Sequence, residues 1–265
     1  MHTAYPYLGV TALILATYYK TLSYGLVIDD IDYFRAYRQN GQYWTLWMRF
    51  LYGSSPSLSI LTNHIITLTL HIITCLLLCH ISPVAALLFA IHPCNHQTAV
   101  WLNGRRYSVL NILFLVILIT HTWWILPPLL LIVSKFAWAQ LSTRMRCNVP
   151  RGIFTPLSII NAIRLSMWRL SGLPRYSFRY PYHNTASFLP YTQPVAERYL
   201  SIPLILTCIL IAKIPPIIIL LYLFRTRQLL PMYADIQSFY DYHHFLYPNL
   251  EKLTLFKQLY PEIKT

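Results

Sequence analysis

Three of the chain's eight acidic residues lie within four positions, as Asp29, Asp30 and Asp32, directly after an apolar run. Neighbouring carboxylates repel each other and lose hydration near hydrocarbon, so the pKa of at least one of them should rise. A carboxyl group of raised pKa is suited to act as a general base, and the cluster is equally suited to bind a metal or another cation. The alternative is structural, because acids at the start of a loop helix are stabilised by its dipole. The residue pattern leaves both interpretations open.

Six histidines lie in or beside apolar runs: His64, His71, His80, His92, His96 and His121. His64 and His71 are seven positions apart, which puts them on one face of a helix. Such histidines can ligate haem or a metal ion, but no set with metal-ligand spacing accompanies them, so we assign no metal site and identify no cofactor. The alternative is interhelical hydrogen bonding. At His92-Pro93 we expect the proline to stop a helix.

The elements that position these residues are indicated by composition. The 265 residues are 56% hydrophobic and 11% charged, against roughly 25% charged residues in soluble proteins. We therefore predict an all-α, polytopic helical membrane protein, integral and multi-pass, with about five to eight spans of about 20 residues each. The net charge of +13 comes from arginines that flank apolar runs. Such arginines set topology and contact lipid headgroups, so we expect membrane lipids as partners and no nucleic acid.

A single transmembrane domain is predicted over residues 1–224, followed by a polar, helical C-terminal tail over 225–265. The predicted outer loops are about 29–59, 92–106 and 140–198. Apolar runs suggest spans or partial spans at about 7–28, 60–79, 83–92, 107–119, 123–139, 200–212 and 214–224. Ser82-Pro83 predicts a tight return between two of them. The five cysteines show no paired spacing and are expected to be small core residues.

Four short segments form a recognisable series along the chain. The first is Gly25-Leu26-Val27-Ile28-Asp29-Asp30, after the first span. The second is Ala85-Ala86-Leu87-Leu88-Phe89-Ala90-Ile91-His92-Pro93, continuing through Thr98-Ala99-Val100-Trp101 to Gly104-Arg105. The others are Ser134-Lys135 and Val195-Ala196-Glu197-Arg198-Tyr199-Leu200. In this order the four resemble segments of the glycosyltransferase-C superfamily, and the second resembles the equivalent segment of the transmembrane and tetratricopeptide-repeat O-mannosyltransferases and their bacterial relatives.

The resemblance implies a glycosyltransferase-C-like fold and transfer of a sugar from a polyprenyl-phosphate donor to an acceptor hydroxyl. Asp29 or Asp30 would then take the proton from the acceptor. The resemblance assigns the lipid phosphate to three arginines, Arg105, Arg106 and Arg198, whose guanidinium groups match phosphate geometry. Supporting positions around the site would be His92, His96, Gln97 and Glu197. For each arginine, headgroup contact is the alternative.

Two positions depart from the family pattern. Gln97 and Phe136 stand where relatives carry Glu, and a glutamine cannot act as a base. The chain is also shorter than those enzymes and has no repeat array after Arg225. These departures favour a second hypothesis, a non-catalytic scaffold or accessory subunit that binds lipid and other membrane-protein subunits in a larger complex. A transporter that binds a coupled ion at the acidic cluster is the third.

Overall fold

The computed structural model describes residues 5–27, 31, 58–125, 170–171, 201–213, 217–238 and 240–241. Within these residues the chain is helical and contains no strand, which confirms the all-α prediction for this part. The α-helices are α1 (Tyr5–Tyr18), α2 (Ile60–Ile81), α3 (Pro83–Ile91), α4 (His96–Val100), α5 (Arg105–Thr120), α6 (Ser201–Ile211) and α7 (Ile217–Leu229). Short 3₁₀ helices lie at Tyr19–Ser23, Pro93–Asn95, Leu102–Gly104, Trp123–Ile125 and Leu230–Tyr233.

The longest of these helices is α2, with 22 residues and a length of roughly 33 Å. Ser59 caps its first turn, since the side-chain oxygen accepts a hydrogen bond from the Thr62 amide at 3.1 Å. Among the described residues it is the one helix long and apolar enough to cross a membrane. Ser82 ends it and also caps α3, accepting from the Ala85 amide at 3.2 Å, with Pro83 at the first helical position. The predicted tight return is confirmed.

The first predicted span, 7–28, is not one α-helix. Helix α1 ends at Tyr18, continues as the 3₁₀ helix Tyr19–Ser23 and becomes extended at Tyr24. Two contacts fix its path. The Tyr7 hydroxyl lies 3.2 Å from His80 Nδ1, near the C-terminal end of α2. The Tyr24 carbonyl lies 3.1 Å from His64 Nε2, near the N-terminal end. The two pieces together therefore run antiparallel to α2 along nearly its whole length.

The centre of the structure is the nine-residue helix α3, against which α1, α2, α6 and α7 all pack. Six of its residues are buried: Ala85, Ala86, Leu88, Phe89, Ala90 and Ile91. A helix that is apolar on every side is expected in such an interior position. The four described cysteines, Cys75, Cys79, Cys94 and Cys208, are buried and free, which confirms the expectation that they are core residues.

The segment from Ser82 to Arg105 is a broken helix. Helix α3 ends at Ile91, before Pro93, which has no amide hydrogen to continue the ladder. The chain then passes through the 3₁₀ helix Pro93–Asn95 and the short α4 to α5. His71, halfway along α2, bonds to the end of α3, whereas Arg105 bonds near the beginning of α2. The predicted helix stop at His92-Pro93 is confirmed.

Candidate functional site

We call residues 89–96 the helix break, because the helix is interrupted there. The interruption leaves several buried backbone carbonyls without the usual hydrogen bond inside a helix. Two of these carbonyls are satisfied by side chains. Asn95 Nδ2 donates to the Phe89 carbonyl at 3.0 Å. The Ala90 carbonyl accepts from the Tyr18 hydroxyl at 3.0 Å and faces His71 Nε2 at 3.2 Å. Side chains of α1, of α2 and of the helix break itself thus replace the missing intrahelical bonds.

Two further carbonyls of the helix break are satisfied in the same way. The Thr226 hydroxyl, from α7, donates to the Ile91 carbonyl at 2.6 Å. His96 Nδ1 bonds to the Pro93 carbonyl, and His96 Nε2 lies 3.1 Å from the Tyr233 hydroxyl. Because an unpaired buried carbonyl is costly, these side chains stabilise an interruption that would otherwise not persist inside apolar surroundings.

Hydrogen-bond geometry fixes the tautomer of His71. Its Nε2 must carry the proton, because its partner there is the Ala90 carbonyl, which only accepts. Its Nδ1 is then an acceptor, and Asn95 Nδ2 lies 3.5 Å from it. The ring is therefore neutral and makes an interhelical hydrogen bond. The sequence left two interpretations open, metal or haem ligation and interhelical bonding, and the observed contact of His71 is of the second kind. Among the described residues, no group of three or more His, Cys, Asp or Glu side chains is arranged to hold a metal ion.

His92 shapes the helix break from its own position. Its Nδ1 accepts from the Cys94 amide at 3.0 Å, and its Nε2 lies 3.0 Å from the Leu170 carbonyl. The ring meets that of Tyr222 edge to face, with centroids 4.4 Å apart. Both His92 and His96, predicted as supporting positions, are fully buried. They hold backbone in place and are not open to solvent.

A second polar cluster lies at the N-terminal end of α2. Arg105 is 1% exposed, and its Nη2 donates to the Asn63 carbonyl at 2.9 Å and to Asn63 Oδ1 at 3.0 Å. Its Nε donates to the Thr67 hydroxyl at 3.4 Å. A buried charge is tolerated only with such partners. The guanidinium predicted to bind phosphate therefore ties α5 to α2 in this structure.

The neighbouring Arg106 has a different environment. It is half-buried, and its guanidinium lies 4.9 Å from the centroid of the Tyr107 ring, a cation–π arrangement. Its Nε is buried and has no hydrogen-bond partner within the part of the chain that the structure describes. Of the two described arginines predicted to bind phosphate, Arg106 is the less buried, so its guanidinium is the more accessible to an anionic ligand.

His64 joins this cluster to the segment that leads to the first outer loop. Its Nε2 bonds to the Tyr24 carbonyl, while its Nδ1 is buried and lacks a hydrogen-bond partner among the described residues. His64 directly follows Asn63, which holds Arg105. The polar end of the bundle, by which we mean Asn63, His64, Thr67, Arg105 and Arg106, therefore lies beside the chain that leads to the acidic pair.

Sequence reasoning missed Asn63 and Thr67. Their signal is the spacing Asn63, Thr67, His71, which puts polar residues at every fourth position on one face of α2. Five predicted positions lie outside the described residues: Asp29, Asp30, Glu197, Arg198 and the side chain of Gln97.

Comparison with protein-family models, with curated proteins and with solved structures gave no match to this chain.

Proposed function

We propose that the chain is an integral, multi-pass membrane protein of the glycosyltransferase-C type. In this proposal it transfers a sugar from a polyprenyl-phosphate donor to an acceptor hydroxyl. One observation carries the proposal. The first two resembling segments begin about 60 residues apart in sequence, yet both lie beside neighbouring residues of α2 at the polar end. Tyr24, just before the first segment, bonds to His64, and Arg105, the last residue of the second, bonds to Asn63.

Multi-pass insertion is supported by how the elements run along α2. The pieces of α1 and of the broken helix each cover most of its length, although no single piece does. Irregular backbone at membrane depth is tolerated where it is buried in protein, as it is at the helix break. Large apolar side chains face outward on several helices, among them Leu8, Leu210, Leu220 and Phe224. Lipid tails would cover such a surface.

The proposed reaction assigns a role to each charged group. Asp29 or Asp30 takes the proton of the acceptor hydroxyl as its oxygen attacks the anomeric carbon. The bond from that carbon to the phosphate oxygen breaks, and polyprenyl phosphate leaves with the bonding electrons. Arg106, with Arg198, balances the charge of the leaving phosphate, since guanidinium and phosphate form paired hydrogen bonds. Arg105 holds α2 and α5 at the positions this requires.

The test is transfer from polyprenyl-phosphate [³H]mannose to a hydroxyl-bearing acceptor peptide by protein in liposomes. Asp29→Asn with Asp30→Asn should abolish transfer, and Arg106→Gln should raise the KM for the donor about tenfold. Asp241→Asn and Lys213→Gln, at two exposed positions, serve as matched controls and should leave transfer unchanged. Turnover that survived the double Asp variant would remove both carboxylates from the role of base.

The second candidate, an accessory subunit that binds lipid without turnover, is favoured by Gln97 and Phe136 at positions where relatives carry Glu. It predicts donor binding with no consumption, and fixed partners that co-purify in mild detergent. A chain that is stable alone in detergent would count against it.

A further inference from the structure

One face of α7 follows the helix break along its length. The Tyr222 ring packs against the His92 ring at 4.4 Å, and one turn later the Thr226 hydroxyl donates to the Ile91 carbonyl at 2.6 Å. Thr226 is fully buried. Residues four apart lie on one helix face, so the contacts form a continuous line.

The line continues beyond α7 into the 3₁₀ helix Leu230–Tyr233. The Tyr233 hydroxyl lies 3.1 Å from His96 Nε2. Since His96 Nδ1 bonds to the Pro93 carbonyl, which only accepts, Nδ1 carries the proton and Nε2 accepts from Tyr233. Tyr233 is 2% exposed, so this bond is shielded from water.

The residue after Tyr233, Ala234, contacts Gly25, in the segment that leads to the first outer loop. The Gly25 amide donates to the Ala234 carbonyl at 2.6 Å. A Cβ atom added to Gly25 would lie 3.4 Å from the Ala234 carbonyl oxygen and 4.0 Å from Asp235 Cβ. The two backbones are therefore in close contact, four residues before Asp29 in the sequence.

We propose that residues 222–235, here called the C-terminal brace, are a positioning element that holds Gly25, in the segment leading to the first outer loop, in register with the helix break. Tyr233 is its central positioning residue, because it bonds to His96 while its neighbour Ala234 holds Gly25. The brace acts on the proposed reaction by fixing the chain that carries Asp29 and Asp30, and in this respect it rests on the proposed function. Its docking can be tested without any activity.

Docking is tested by a disulfide. Cβ atoms in disulfides lie about 3.5 to 4.5 Å apart, so Gly25→Cys with Asp235→Cys should cross-link under mild oxidation. The measurement is mass spectrometry of the linked peptide from protein in liposomes. Gly9→Cys with Asp235→Cys is the matched control, because nothing lies within 4 Å of a Cβ atom built at Gly9. A failure of the first pair to cross-link, or equal cross-linking of both pairs, would overturn the brace.

Positioning is tested through Tyr233→Phe, which removes one oxygen and keeps the ring. It should speed maleimide labelling of Gly25→Cys at least fivefold, and it should lower kcat for mannose transfer about tenfold while the donor KM stays unchanged. Tyr5→Phe, at an exposed tyrosine, should change neither. In Tyr233→Phe combined with the Gly25→Cys and Asp235→Cys pair, oxidation should restore kcat, a rescue that a merely structural residue would not show.

The two proposals fail separately. If wild-type protein transfers no mannose, the proposed function fails, while cross-linking and labelling still decide whether the brace exists. If transfer occurs but Tyr233→Phe leaves labelling and kcat unchanged, the brace is not a positioning element.

Discussion

The helix break and the polar end are both rich in buried polar groups, but they differ in how completely those groups are paired. At the helix break, the Phe89, Ala90, Ile91 and Pro93 carbonyls each meet a side-chain partner. At the polar end, His64 Nδ1 and Arg106 Nε are buried without a hydrogen-bond partner among the described residues. Paired buried polar groups specify a fold, whereas a buried polar group without a partner needs one, such as an ordered water or a ligand. Substitutions at the helix break and at Arg105 should therefore lower the free energy of unfolding, whereas substitution of Arg106 should weaken donor binding.

The largest loss of stability is expected for Arg105→Ala. It removes the donors that satisfy Asn63 and Thr67 and leaves a cavity between α2 and α5. We expect the free energy of unfolding to fall by about 3 kcal/mol, measured by equilibrium titration with SDS in mixed micelles. Arg227→Ala, at an exposed position of α7, should cost less than about 0.5 kcal/mol. Equal losses for both would show that Arg105 is not a tie between helices.

A smaller loss is expected for Thr226→Val, which keeps the shape and removes the hydroxyl that donates to the Ile91 carbonyl. Leaving that buried carbonyl without its donor should lower the free energy of unfolding by about 1.5 kcal/mol. Thr207→Val is the matched control, since that hydroxyl bonds only within its own helix at a half-buried position. A loss no greater than that of the control would contradict the description of the helix break as a region whose carbonyls are paired by side chains.

Tyr18→Phe should lower the free energy of unfolding by a smaller amount again, about 0.5 kcal/mol. The Ala90 carbonyl would lose the tyrosine hydroxyl but keep His71 Nε2 as its partner. The same titration, with Tyr5→Phe as control, measures the difference. A cost above that of Thr226→Val would show that the two donors at Ala90 are not redundant.

The smallest change in stability is expected for Arg106→Gln, within about 0.5 kcal/mol, because its buried Nε has no hydrogen bond to lose. Together with the tenfold rise in donor KM expected for Arg106→Gln, this small loss of stability would show that Arg106 serves binding, whereas the helix break serves stability. A loss of stability near that of Arg105→Ala would place Arg106 among the structural residues instead.

Local signals in the sequence were sufficient for several elements. The apolar run from Ile60 predicted α2, and Ser82-Pro83 and His92-Pro93 predicted the return and the helix stop, because serine caps and proline act within one turn. The partners of the helix break could not be predicted in this way. Thr226 and Ile91 are 135 positions apart, and no local pattern pairs a hydroxyl with a particular carbonyl.

The C-terminal region shows a further limit of hydropathy. The arginines at 225 and 227 suggested a polar tail, yet α7 continues to Leu229, and Leu230 and Tyr233 are buried. The spacing of Tyr222 and Thr226 carried part of the missing signal, since residues four positions apart share a face of an α-helix. Tyr233 lies beyond α7, in a 3₁₀ helix, where that spacing no longer applies. The acidic pair itself lies outside the described residues, so its role stays a prediction.

The sequence distance between the Ile91 carbonyl and its partner has a consequence for biogenesis. At a synthesis rate of about 5 to 20 residues per second, the ribosome needs about 7 to 30 s to make the intervening 135 residues. During that interval the interrupted helix has emerged without the hydroxyl that completes it. Its nine-residue apolar half is too short to settle across a bilayer alone. Under the proposed membrane insertion, this segment would reach its final position only after α7 has been made, so a translocon or an insertase would shelter it during that interval.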